Sequence, residues 1–329
     1  MINAKKYAMI DLHLHLDGSM SLECARSLAK KQGIELPDDE ELLNKLRVSA
    51  DCRDLNEYLE RFELPLSLLQ TAEAISEAVE RLCNELLEQG MIYAEIRFAP
   101  QLHLAKGLTQ EEVVLAAIKG LSRSSFDASL ILCCMRGADN REKNMETVRL
   151  VGEYLGKGVC AVDLAGAEAL FPNENFVDVI EYARSLSLPM TLHSGEALGA
   201  DSVASAIALG ANRIGHGVRS VESPELLPVL AEKRIALELC PTSNLNTRVL
   251  DDLKDYPIRD FINAGVVITI NTDNTSVSAT SLAEEYQRIA DALALTESEL
   301  RQISFNSARA AFLSQDAKVA LVDKMSELI

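Results

Sequence analysis

The chain has only five histidines, and four of them, His13, His15, His193 and His216, fall on or at the ends of short apolar segments; Asp273 ends another. Two share the stretch AMIDLHLHLDGS, residues 8 to 19, which alternates apolar and polar residues. A strand with that period of two points Ile10, Leu12, Leu14 and Leu16 one way and Asp11, His13, His15 and Asp17 the other. Imidazole nitrogens with one carboxylate suit Zn2+ or another divalent transition metal, whereas Ca2+ and Mg2+ require oxygen ligands. A lone strand histidine is more often a hydrogen-bonded core residue, and Asp273 with Asn274 could merely start a turn or cap a helix. Two histidines on one strand face, joined by two further histidines and by an acid at other strand ends, instead predict a metal site drawn from His13, His15, His193, His216 and Asp273. Zinc with a position left open lowers the pKa of water to about 7, so hydrolysis is the expected chemistry. Glu196, just past His193 in HSGE, is out of phase with the ligand yet close enough to reach a substrate. It is the candidate general acid and base, where a glutamate taken alone would read as a solvated loop carboxylate.

These residues are far apart along the chain, so the fold must bring them together. Short apolar runs, each followed by polar residues or glycine, recur at 8–16, 91–98, 128–135, 158–164, 189–194, 213–218, 235–240 and 266–272. Segments of helical periodicity lie between them, such as 109–125 and 174–187. Strands alternating with helices predict parallel β/α units. Eight such units predict an α/β fold of the closed TIM (β/α)8 barrel type rather than an open doubly wound sheet. Catalytic groups in such a barrel gather at the C-terminal strand ends, around one mouth. Residues 19–90 exceed what one crossover needs and predict a helical insertion at that mouth. Residues 281–329, with Thr296 and Glu299 spaced as a capping box, predict C-terminal helices that close one end. Residues 1–329 then read as a single catalytic domain. Glu95 and Arg97, alternating with Ile96, predict an ion pair inside the barrel, and His103 reads as a surface residue.

The net charge of -18 argues against nucleic-acid or anionic-membrane partners, because both need a concentrated basic surface. No apolar run approaches the roughly 20 residues of a membrane helix. The 7 cysteines make an odd count without a C-x-x-C pair, mostly inside apolar segments, as reduced core thiols would be. The start runs from Lys5 and Lys6 into a segment broken by Asp11 and His13, unlike a signal peptide. Together these features predict a cytoplasmic enzyme acting on a small molecule.

The motifs DLHLHLDGS, LAGAE (164–168), HSGE (193–196), IGHGV (214–218) and NTDN (271–274) stand in that order along the chain. The ordered set resembles the adenosine deaminase family of the amidohydrolase superfamily. The resemblance implies zinc-dependent hydrolytic deamination of adenosine, and of 2'-deoxyadenosine, to inosine or deoxyinosine and ammonia in purine salvage. It implies that His13, His15, His193 and Asp273 hold the zinc and that Glu196 protonates purine N1 as water attacks C6. His216 resembles the histidine that orients and helps to deprotonate that water, and Gly166 the backbone N–H that meets purine N3. His15 and Asp17 would face the substrate, Asp17 at the ribose hydroxyl, and the helical stretch after the first strand resembles the family's lid. Such a mechanism is physically coherent, because protonating N1 during attack at C6 offsets charge that would otherwise accumulate in the transition state.

Two positions depart from the family pattern. Asn274 stands where many members carry a second acid at purine N7; its amide can donate a hydrogen bond with no proton to retain. Ala167 stands where relatives often have an acid, and no chemical role attaches to that change. Adenine or a 5'-modified adenosine analogue is the alternative substrate. A metal-dependent phosphoesterase is the alternative reaction, since an H-x-H strand also opens such barrels. Sites of that kind gather two or three metals and need more ligands than five histidines and Asp273 readily supply, and the bridging lysine typical of two-metal amidohydrolases is missing from VCAVDLAG. A binding protein that had lost turnover would have little reason to keep every ligand together with Glu196.

Overall fold

Every strand lies at one of the apolar runs, its ends within two residues of the expected ones: β1 (Ile10–His15), β2 (Tyr93–Phe98), β3 (Ala128–Met135), β4 (Val159–Ala165), β5 (Thr191–Ser194), β6 (Arg213–His216), β7 (Ala236–Leu239) and β8 (Ile268–Ile270). The computed structural model describes residues 2–329. All pairings are parallel, in the orders β1-β2-β3-β4 and β5-β6-β7-β8. Two seams join these halves into a ring. Val162 bridges Met190 between β4 and β5, and Leu14 bridges Asp273 just beyond β8. At the second seam the His15 N–H donates to the Asp273 carbonyl at 2.7 Å and the Asp273 N–H donates to the His13 carbonyl at 2.8 Å. First and last strands therefore meet, which makes the fold the expected (β/α)8 barrel and excludes the open sheet.

The strands are apolar on their outer side because helices cover it. Leu12 packs with Phe305 and Ala308, while Leu14 and Leu16 join the main core under the helical ring. Four helices follow β1: α1 (Leu22–Gln32), α2 (Asp39–Leu46), α3 (Leu55–Leu59) and α4 (Glu63–Leu68). Ser21, Asp38 and Asp54 start the first three of these, each side-chain oxygen accepting a first-turn N–H. Helix α5 (Ala72–Glu88) behaves differently from them, because it packs along α6 (Gln110–Leu121), with Gly120 close against the Ser76 carbonyl and Val79. The stretch 19–90 thus divides into helices that leave the ring, 22–68, and the ring's own first crossover helix.

The ring continues with α7 (Arg141–Tyr154), α8 (Val177–Ser185), α9 (Ala200–Ala208), α10 (Leu226–Lys233), the short α11 (Pro241–Asn246) and α12 (Ile258–Ala264). The tail forms α13 (Leu282–Leu293), α14 (Glu297–Ala310) and α15 (Gln315–Leu328), with the Thr296–Glu299 capping box at the start of α14. Phe305, Ala308, Leu321 and Met325 of the last two helices pack against Met9, Ile10 and Leu12 at the start of β1.

Inside the barrel, two expectations are corrected. Arg97 does not pair with Glu95; it binds Asp163 and Glu238, both at 2.9 Å, while Glu95 binds Arg213 at 2.5 Å. Both β2 side chains do point inward, but each reaches across the barrel to a different strand. His103 is not at the surface: it is fully buried with Nδ1 2.8 Å from the Leu69 carbonyl. All seven cysteines are buried and free. Among the described residues, no helix is long and apolar enough to cross a membrane.

Candidate active site

His13 and His15 face inward from β1, His193 from β5, and Asp273 follows β8 at the closing seam. One ligand atom from each of these four lies within 4.8 Å of all the others. His15 Nε2 is 3.3 Å from both His193 Nε2 and Asp273 Oδ1, and His13 Nε2 is 3.5 Å from Asp273 Oδ1. His13 Nε2 is buried without a hydrogen-bond partner. An orphaned buried polar atom costs about 1–3 kcal/mol, a cost that a cation at the centre of the cluster would remove. Three imidazole nitrogens and a carboxylate oxygen fit a divalent transition metal.

Carboxylates lower in the barrel set the tautomers of two of these imidazoles. His13 Nδ1 lies 2.8 Å from Glu238 Oε2, and His193 Nδ1 lies 3.0 Å from Asp163 Oδ2. A carboxylate only accepts, so each Nδ1 carries the proton and each Nε2 turns its lone pair inward. Burial lowers His193 and drives His15 well below the ordinary imidazole value, which keeps both neutral. For His13, burial and Arg97 act downward, but Asp273 and Glu238 outweigh them and raise it, marking a spot where positive charge is favoured. Burial would raise Asp273, yet the neighbouring imidazoles of His13 and His15 hold it below the usual carboxylate range. Its other oxygen accepts from the Ser243 hydroxyl at 2.6 Å.

His216 carries the opposite tautomer. Tyr256 donates to Asn244 Oδ1 at 2.7 Å, which turns the Asn244 amide N–H toward His216 Nδ1, 3.1 Å away. Burial pushes His216 well below its ordinary value, so its one proton sits on Nε2, 3.5 Å from Glu196 Oε2. Glu196 also accepts from the Thr247 hydroxyl at 3.3 Å. Burial first, then the charges of Asp273 and Glu168, push its carboxyl well above the usual range, which favours its protonated form.

Backbone conformation marks the same place. His216 and Asp273, both non-glycine, have φ of 61° and 62°. Each left-handed residue of this kind costs on the order of 1–3 kcal/mol and persists only where its surroundings impose it. Between the imidazoles stands Gly215, where an added Cβ would lie 3.1 Å from both His13 Cε1 and His193 Cα; a larger residue would separate the cluster.

Above the cluster is a cavity of about 200 Å³. Its walls include His15, Asp17, Gly166, Glu196, Asp273 and Asn274, and its roof is Leu55, Tyr58, Leu59, Phe62 and Leu66 from the helices that leave the ring. The roof is tied down at both sides. Tyr58 Oη lies 2.7 Å from Ser278 Oγ, and Arg248 donates to the carbonyls of Cys52 and Ala50 at 2.8 and 2.9 Å. Burial raises Asp17 to about 6, and no lysine or arginine lines the space. A larger groove, about 960 Å³, opens at the other end of the barrel but contains no histidine or carboxylate. Its Arg184, Arg234 and Arg309 sit at the C-terminal ends of α8, α10 and α14, where cations oppose the helix dipoles.

The structure brings together every residue singled out from the sequence, His13, His15, Asp17, Gly166, Glu196, His193, His216, Asp273 and Asn274, and assigns no role to Ala167. Sequence reasoning missed the residues that aim them: Asp163, Glu238, Ser243 and Asn244.

A closed (β/α)8 barrel with converging histidines and an aspartate at its strand ends, under a roofed cavity, defines a hydrolase of the amidohydrolase type. Residues 9–328 match the family described as adenosine deaminase. The chain is 49% identical over 332 residues to an adenosine deaminase of Haemophilus ducreyi, covering 98% of this chain and 96% of that one. Among solved structures it is similar to the Arabidopsis N6-mAMP deaminase, with a TM-score of 0.86, 27% identity and coverage of 98% and 99%. It is also similar to the adenine deaminase of Arthrobacter aurescens, with a TM-score of 0.85, 26% identity and coverage of 97% and 98%. The chain belongs to the adenosine deaminase family.

Proposed function

We propose that this family member hydrolyses adenosine and 2'-deoxyadenosine to inosine or deoxyinosine and ammonia, using a single zinc ion held by His13, His15, His193 and Asp273. The observation that carries the reading is the Glu196 carboxyl, buried 3.5 Å from His216 Nε2 beside the imidazole cluster, at the base of a cavity of about 200 Å³. When bound, zinc supplies the Lewis acidity that makes water nucleophilic near pH 7.

The protein's own groups then move the protons and hold the ring. Glu196 donates to purine N1 as the water oxygen adds to C6, and the carboxylate so formed takes up the protons that oxygen gives up and passes one to N6, so that ammonia leaves as the C6–N6 bond breaks while N1 keeps its proton. His216, with its proton on Nε2, donates to the attacking oxygen and orients it; its tautomer favours that role over taking the proton. Gly166 offers its N–H to N3 and Asn274 its amide to N7. Gly166 has a φ of 104°, a conformation that leaves little choice but glycine there.

The lining argues for a nucleoside. A 5'-phosphate, as in the N6-mAMP of the Arabidopsis relative's name, would meet Asp17, Glu196 and Asp273 and no cation. Adenine would leave buried Asp17 without the ribose hydroxyl it is placed to bind. Helices 22–68 serve as the lid of one catalytic unit, and the buried, unbridged cysteines support a cytoplasmic setting. Metal analysis together with ammonia release and loss of absorbance near the adenosine maximum tests the reading. Zinc and turnover are expected together. A zinc-loaded protein that released no ammonia from adenosine, deoxyadenosine or adenine would overturn it.

A further inference from the structure

Glu168 is nearly inaccessible to solvent, at 1% exposure, and touches none of the groups proposed to react. Its carboxylate nonetheless collects five hydrogen bonds. Oε1 accepts the Gly195 N–H at 2.8 Å and the Ser202 hydroxyl at 2.6 Å. Oε2 accepts the N–H groups of Glu196, Ala197 and Leu198 at 3.2, 2.7 and 3.0 Å. The loop that carries Glu196 is therefore wrapped, amide by amide, around a carboxylate from the loop after β4. Gly195, with φ of 73°, makes the turn that lets successive amides face one point. Arg136 fixes the other side of this scaffold by donating to the His193 carbonyl at 2.6 Å and to Asn173 Oδ1 at 2.7 Å.

Glu168 lies just beyond Gly166 in LAGAE, so one short segment holds both the backbone N–H proposed for purine N3 and the anchor of the group proposed for N1. N1 and N3 belong to the same six-membered ring, and their separation is fixed. We infer that Glu168 is a positioning residue that sets the spacing between the Gly166 N–H and the Glu196 carboxyl, and through it the ring edge the site accepts. The inference rests on the deaminase reading above. A merely structural tie would slow every substrate equally when broken. A spacing device would alter the discrimination between substrates that differ at N3.

The test uses the metal-loaded enzyme with Glu168→Gln and Glu168→Asp, on adenosine and on 3-deazaadenosine, which has a C–H in place of N3. Glutamine keeps the shape but turns an NH2 toward a ring of N–H donors. Loss of about 100-fold in kcat/KM for adenosine is expected, mainly in kcat, as for a misplacement of about 1 Å. The wild-type preference for adenosine over 3-deazaadenosine is expected to fall toward unity in the glutamine variant and to be partly kept in the aspartate variant. Metal content stays at the wild-type level. A folded, metal-loaded variant that retained the wild-type preference, or wild-type kcat/KM, would overturn the inference. If Glu168→Gln does not fold, Glu168→Asp decides by the same ratio. If wild type itself turns over neither compound, the deaminase reading has failed instead. Amide exchange of residues 195–198 then decides for Glu168: faster exchange in the variants supports the anchoring, and unchanged exchange overturns it.

Discussion

Arg97 and His13 face the same barrel interior one layer apart, and the two layers handle charge in opposite ways. Below, Arg97 and Arg213 meet Asp163, Glu238 and Glu95 at 2.5–2.9 Å, so each buried cation is matched by carboxylates from the chain itself. Above, imidazoles and carboxyls converge with no lysine or arginine, and His13 Nε2 has no partner. The lower layer matches its own charges as folded and leaves only Arg97 Nε without a partner, whereas the upper layer is arranged for a cation from outside. The layers also share members. Glu238 and Asp163 each bind Arg97 below and an imidazole Nδ1 above, so the paired layer dictates which way the metal-facing nitrogens point.

The sharpest way to separate the layers is to damage the chemistry and leave the pairing intact. Glu196→Gln is expected to lower kcat by about 1000-fold, the middle of the range for general acid catalysis, with metal content and Tm held. Single-turnover kinetics alongside metal analysis checks this, and a variant retaining a tenth of wild-type turnover would refute the assignment.

Glu238→Gln strikes the joint between the layers. Metal affinity is expected to weaken about 10–100-fold, as for other partners of metal-binding histidines. Stability is expected to fall by about 3 kcal/mol, because Arg97 and Arg213 stay buried with fewer partners. Burial pushes Glu238 up, but Arg97 and Arg213 outweigh it and hold the carboxyl well below its ordinary value. A depressed folded pKa means that this stabilisation is fully present above the unfolded value and is lost as the pH falls through the folded one. Denaturation across pH should therefore show the full deficit at neutrality and a narrowing gap only in acid. A deficit that grew toward acid would contradict the pairing.

The smallest effect is expected at the cavity wall. Asn274→Asp introduces a group that can donate to purine N7 only while protonated. Its kcat/KM for adenosine should decline as the pH rises through that ionisation, where wild type does not. Identical profiles for the two proteins would remove Asn274 from N7 recognition.

The strands and the metal cluster were legible because each carries a local signal: an apolar run, an H-x-H on one strand face, a motif at a strand end. The lower layer was not. Asp163 and Glu238 are single acids inside apolar strands, and nothing in a strand's own pattern says which residue lies across the barrel. Glu95 and Arg97 shared a face in sequence and were paired on that ground, but in a closed barrel an inward side chain meets the far wall before it meets its neighbour two residues away. His103 reads as solvated because it follows a strand, outside any apolar run; the turn before α5 covers it and supplies the Leu69 carbonyl. Helix α5 falls within the expected insertion because helical periodicity is the same inside and outside the ring. The motif LAGAE pointed to Gly166, while the five bonds at Glu168 became visible only with the neighbouring loop in place.

The seam at Asp273 bears on how the protein is made. The peptide of this residue supplies the rung that joins the first strand to the end of the last, and its side chain supplies a carboxylate to the cluster. His13 and His15 leave the ribosome early and wait through most of translation for both. A copy that stalls, is clipped, or closes in the wrong register lacks the rung and the carboxylate together. Closing the ring and completing the cluster are thus one event, made by one residue.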